Sequence, residues 1–141
     1  MKDSTIIICF SIALIASISW QQPAPLKASI ERGKRVYEEV CLTCHQQDAG
    51  GVPRMTPPLV KTKWVLGDKK ALVKIVLKGL KGGEIEIDGD TFENPMPAQE
   101  DNLTDQQIAD VLTYVRNSFG NKASLVTVAE VKQLRIALKG K

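Results

Sequence analysis

The segment Cys41-Leu42-Thr43-Cys44-His45 constrains this chain more than any other. The 141 residues contain three Cys and one His, and two of those Cys and the sole His fall within five consecutive positions. Such counts exclude most metal sites and most catalytic triads. A structural zinc site needs four ligands, usually Cys and His. Beyond the amino-terminal segment the chain offers only Cys41, Cys44 and His45, and adjacent Cys44 and His45 are awkwardly placed for one tetrahedron. A thioredoxin-like dithiol needs a βαβ setting, whereas the sequence around this motif reads helical.

C-x-x-C-H is the attachment pattern of c-type haem. Two thiols three positions apart project from one turn of chain and can add to two vinyl groups on one side of a porphyrin. The next residue then places an imidazole on the iron. With Cys and His each near 2% of residues, chance gives the pattern in about one in a thousand chains of this length. The sequence therefore points to one covalent haem c held by Cys41, Cys44 and His45.

The amino-terminal segment agrees with that chemistry. Ile6 to Ile18 is an apolar run without charge. Thirteen residues in a helix span roughly 20 Å, short of a ~30 Å hydrocarbon core. Lys2 precedes the run, and Ser17 and Ser19 are small residues before Trp20. Residues 1–19 thus read as a secretory signal peptide, with an uncleaved anchor as the alternative. Export places the protein in the periplasm or another extracytoplasmic space, where haem meets reduced thiols. Cys9 lies in the apolar run without the context of a lipoprotein site and reads as incidental. Residues 20–28 include Gln21-Gln22-Pro23-Ala24-Pro25, an extended linker.

The remaining chain, residues 29–138, reads as one all-α domain of about four to five helices with long loops. Ser29 can cap a helix over Ile30 to about Cys41. Gly50 to Pro58 carries three Pro and two Gly and must be a loop. Asp68 can cap a helix from Lys69 to Leu77, with Leu72, Ile75 and Val76 inward. Glu84 to Ile87 alternates and meets Asp88-Gly89, a short hairpin. Asn94 to Pro97 is another loop. Thr104 to Gln107 is a capping box that opens a helix with Ile108, Val111, Leu112 and Val115 on one face, and Gly120 can stop it. Thr127 to Glu130 is a second capping box, with Val128, Val131, Leu134 and Leu138 inward. Loops of this length are unusual in a small helical domain, so a group other than side chains is expected to fill the middle.

These landmarks, in order, carry a resemblance. A helix with Gly33 and Tyr37 ends in CLTCH, followed by TPPL, WVLGD, LKGLKG, the NPMPAQ loop and LTDQQIADVLTYVRNSFGN. The chain resembles the class I monohaem c-type cytochromes of the small bacterial kind. The resemblance implies the cytochrome c-like fold wrapped around one haem, with Gly33 and Tyr37 meeting Val111 and Tyr114 where two helices cross. It implies a sixth iron ligand at Met96, between two prolines. Met55, only ten residues past His45, is the other candidate, and an open position is the third. A thioether favours ferrous iron, although Met96 could also be plain core filler. Pro57 matches the position whose carbonyl accepts the Nδ1–H of the axial histidine, with a simple rigid turn as the alternative. Leu59 matches a residue on the haem edge. Trp64 either donates to a propionate or is a core tryptophan with a wet edge.

The implied function is that of a non-enzymatic electron carrier with His45 and Met96 as axial ligands. Its partners would be redox proteins: a dehydrogenase or quinol-oxidising complex as donor and a terminal oxidase as acceptor. If neither methionine binds, a five-coordinate gas sensor or small peroxidase results instead. A subunit dedicated to one dehydrogenase would keep the same chemistry, with the basic tail Asn121–Lys141 as its docking helix. A net charge of +3 and 5% aromatics exclude nucleic-acid binding as a role. A monomer is expected, with membrane contact only through an uncleaved amino-terminal segment. Lys70, Lys74 and Lys78 lie on one helix stripe, with Lys81 close behind, and Glu84, Glu86, Asp88, Asp90 and Glu93 form an acidic stretch. Either is a solvated face, or one steers a partner of opposite charge. The acidic stretch lacks the EF-hand pattern, so calcium is not expected.

Overall fold

In the computed structural model, which describes residues 24–139, helices α1 (Ala24–Val36) and α5 (Asp105–Asn117) cross at Gly33. A Cβ at Gly33 would lie 2.0 Å from the Asp110 carbonyl oxygen and 2.7 Å from Tyr114 Cβ. Only glycine lets the two backbones approach so closely. Tyr114 is thus met as expected, and the Asp110 carbonyl, one residue before Val111, also faces Gly33.

The crossing is also stapled by charge. The Asp110 carboxylate is buried and accepts from Ser29 Oγ at 2.6 Å, Arg32 Nε at 2.7 Å, Arg32 Nη2 at 2.9 Å and Gln106 Nε2 at 2.9 Å. Burial opposes its ionisation, but the bonds from Arg32, Ser29 and Gln106 prevail and hold the carboxyl below its ordinary range. Ser29 therefore does not cap α1. Among the described residues the helix already runs from Ala24. Residues 24–28 of the expected linker are helical. The signal-peptide and anchor readings of residues 1–19 lie outside the described residues, as does the linker before residue 24.

The first helix does not stop near Cys41. It passes through a π-helical turn, Tyr37–Cys41, directly into α2 (Leu42–His45). Tyr37 is buried at this widening. Its hydroxyl donates to the Gln46 carbonyl at 2.7 Å, and its ring packs on Tyr114 and Phe119 with centroids 5.5 and 5.4 Å away.

Short α3 (Lys63–Leu66) is capped by Thr62, and α4 (Lys69–Lys78) by Asp68, as the sequence predicts for the latter. Leu72 and Val76 are buried, joined by Val73 and Leu77, while Ile75 is half-buried. A hairpin comes next: β1 (Ile85–Ile87) pairs antiparallel with β2 (Asp90–Phe92), Ile85 opposite Phe92. Its turn residues Asp88 and Gly89 have φ of +53° and +87°, the I′-like signs that suit two-residue hairpins. The Thr104–Gln107 capping box is complete, and Ile108, Val111, Leu112 and Val115 are buried.

The last helix, α6 (Val128–Lys139), folds back onto α4 and α5. Thr127 and Glu130 make the second capping box reciprocally. Val131 is buried, but Val128, expected inward, is exposed. Val126 takes its place, because the Thr113 hydroxyl binds both its N–H at 3.0 Å and its carbonyl at 3.3 Å and draws it in. Arg135 ties α6 down by donating to Asp105 at 2.7 Å, to the Leu103 carbonyl at 2.8 Å and to the Glu100 carbonyl. Among the described residues no helix is long and apolar enough to cross a membrane.

Candidate functional site

The helices and loops leave a hollow in the middle. Two adjoining cavities, of about 320 and 90 Å3, share Cys41, His45, Pro57, Leu80, Ile85, Met96 and Gln99 in their walls. Cys44 lines the larger one, while Leu59 and Trp64 line the smaller. The cavity walls thus bring together all seven residues singled out in the sequence.

Each is placed by a local cause. The π turn carries the helix into the motif with Cys41 partly buried and Cys44 exposed, both as free thiols. Burial, with Cys44 nearby, pushes the Cys41 thiol up to about 11. His45 ends α2 and is 9% exposed. Its Nδ1 lies 3.2 Å from the Pro57 carbonyl oxygen. With Nδ1 donating there, Nε2 is the ring nitrogen left for a metal. Burial lowers the His45 pKa, and the Pro57 carbonyl opposes that only in part. The imidazole is therefore neutral at pH 7, the form that ligates.

Met96 is fixed by its backbone. Its N–H donates to Leu80 O and its carbonyl accepts from Leu80 N, each at 2.9 Å. This pairing depends on Gly79, where φ is +71° and a Cβ would lie 2.3 Å from the Met96 carbonyl oxygen. The neighbouring Glu93 and Asn94 amides donate to Arg54 O and Met55 O, each at 3.0 Å. Met55 itself turns outward, 49% exposed, and lines neither cavity.

Trp64 lines the smaller cavity, and its indole N–H donates to the Glu86 carbonyl at 3.3 Å. Leu80, Ile85 and Phe92 are among the wall residues that the sequence reading did not single out. Ile85 and Phe92, paired across the hairpin, are 6% and 7% exposed and line the larger cavity beside Leu80. The alternation of Glu84 to Ile87 signalled a hairpin, but not what its apolar residues would bury against.

The basic stripe and the acidic hairpin are partly neutralised. Lys78 Nζ sits 2.8 Å from Glu100, and Arg54 Nε sits 3.6 Å from Asp90. Among the described residues no cluster of three or more His, Cys, Asp or Glu forms a metal site of the zinc or calcium type. The donor set on the cavity is instead two thiols, a neutral imidazole and a thioether in an apolar shell. That combination fits a covalently attached haem.

The cytochrome c family model matches residues 30–119. Cytochrome c-552 of Thermus thermophilus is 32% identical over 112 residues, covering 73% of this chain and 83% of that one. The cytochrome c subunit of alcohol dehydrogenase (quinone) from Gluconacetobacter polyoxogenes is 38% identical over 105 residues, covering 73% of this chain but 22% of that one. The gluconate 2-dehydrogenase cytochrome c subunit of Pantoea cypripedii is 35% identical over 111 residues, 74% of this chain and 24% of that one. The chain thus spans about a quarter or less of those two dehydrogenase subunits.

Proposed function

The chain belongs to the cytochrome c family, whose cofactor is covalently bound haem c, and from that premise we propose that it is a single-haem electron carrier with His45 and Met96 as axial ligands. When bound, the haem supplies a one-electron ferric/ferrous couple. Cys41 and Cys44 would hold it through two thioethers. His45 would ligate through Nε2, its ring plane and tautomer set by the Pro57 carbonyl. Met96 would ligate from the loop clamped to Leu80. Leu59, Leu80, Ile85 and Phe92 exclude water, which keeps the surroundings of the metal apolar in both oxidation states. With His45 and Met96 both holding the metal, no substrate would reach it, and the chain would perform no bond chemistry.

The observation that carries this reading is the convergence of Cys41, Cys44, His45 and Met96 on one cavity while Met55 points to solvent. Optical spectroscopy tests it. A thioether–iron charge-transfer band in the ferric protein, lost in Met96→Ala and retained in Met55→Ala, is the predicted result. Rapid carbon monoxide binding by the unmodified ferrous protein would instead mean a five-coordinate sensor or peroxidase.

The protein acts outside the cytoplasm, exported by residues 1–19. Its partners are redox proteins, and the dehydrogenase subunits among its relatives favour a dehydrogenase as electron donor, with a terminal oxidase as acceptor. The tail is not a free docking arm in this reading, since α6 is bound to the body through Arg135, Val131 and the Lys69–Glu130 ion pair.

A further inference from the structure

We infer that Asn121 is a positioning residue for the axial histidine, acting through the Pro57–Lys61 segment; this rests on the ligand assignment proposed above. Asn121 is 6% exposed and lies just beyond the end of α5. Its side chain makes three hydrogen bonds. Oδ1 accepts from Lys61 N at 2.7 Å, and Nδ2 donates to Leu59 O at 2.9 Å and to Val115 O at 2.8 Å. One amide therefore caps a carbonyl at the end of α5 and grips the proximal loop at two points.

The grip reaches the histidine over a short, stiff path. Leu59 O is two residues from the Pro57 carbonyl that accepts from His45 Nδ1. Both ring residues on that path, Pro57 and Pro58, have fixed φ, so little slack separates the anchor from the acceptor. Leu59 N also donates to Ala49 O at 2.8 Å, closing the loop back toward the motif. At the other anchor Lys61 adopts φ of +54°, which costs a non-glycine residue energy and persists only where neighbours impose it. The Asn121 carbonyl oxygen on its N–H is such a constraint. Gly120 sits beside it, where a Cβ would lie 3.4 Å from Lys61 Cε.

The hydrogen bond at Nδ1 governs the basicity of the ligand nitrogen. If Asn121 is lost, the carbonyl drifts and the bond weakens. The imidazole then donates less to iron, ferric iron is less stabilised, and the midpoint potential rises.

The test uses the full-length holoprotein with Asn121→Leu, and Asn121→Ser as a second variant that removes the same grip without added apolar bulk. Thr113→Val is the control, since it removes the buried Thr113–Val126 bonds of the same region without touching the loop. The expected result is a raised midpoint potential and a shifted His45 Nδ1–H resonance in both Asn121 variants, with neither moved in the control. Unmoved potential and resonance in either folded Asn121 variant, or equal movement in the control, would overturn the assignment. An unmodified holoprotein without histidine-ligated iron would instead strike at the proposed function, a separate failure read before any variant is made.

Discussion

Gly33 shows how much one side chain can matter when it is absent. Its Cα is pressed on the backbone of α5, so a methyl group there has nowhere to go. Gly33→Ala is expected to destabilise the holoprotein by about 3 kcal/mol, the upper end for overpacking, read as a lowered midpoint in denaturant unfolding. Asp110 acts at the same crossing with the opposite logic, since its charge is needed. The folded carboxyl titrates below the unfolded value, so its stabilisation is present above about pH 4 and is lost as pH falls through the folded pKa. Asp110→Asn is expected to cost about 2 kcal/mol at neutral pH and to flatten the loss of thermal stability below pH 4. A melting series from pH 2 to 7 on both proteins checks this; parallel curves would sink it. The proposed attachment residues are legible at this scale because the motif is local in sequence. Asn121 was not, because nothing about a lone Asn after a helix reveals that its partners lie about sixty residues upstream.

At the scale of elements, periodicity and caps located α4, α5, the hairpin and the two capping boxes. They failed where tertiary contacts overrule local preference. The π turn at Tyr37–Cys41 keeps helical spacing in the sequence while shifting the register of Leu42–His45. Ser29 has the chemistry of a cap but is spent on Asp110. Val128 fits the apolar stripe of α6, yet Val126 occupies the core because Thr113 fixes its backbone. The tail is the clearest case for experiment. Removing residues 125–141 exposes the sites of Val126 and Val131 and breaks the Arg135 bonds. A loss of about 3 kcal/mol or more is expected from those two valines alone. Calorimetry should show a melting temperature lowered by roughly 10 °C. An unchanged melting temperature with lost partner binding would make α6 a docking helix after all.

For the whole molecule, the sequence already implied an unfilled middle, since its long aperiodic loops could not pack on one another alone. The structure answers with a cavity walled by leucine, isoleucine, phenylalanine and proline, with its sulfur and nitrogen donors on that same wall. Such an apolar hollow would be poorly stable if left to water, so the fold is completed by its prosthetic group rather than merely decorated by it. The ligand assignment, the carrier role and the part given to Asn121 all depend on that group being covalent. Intact-mass spectrometry of the protein, expressed with haem-attachment machinery and recovered after export, decides it. The predicted result is a polypeptide heavier by one haem, with the addition abolished in a Cys41→Ala, Cys44→Ala double variant. A mass equal to the bare polypeptide would contradict it.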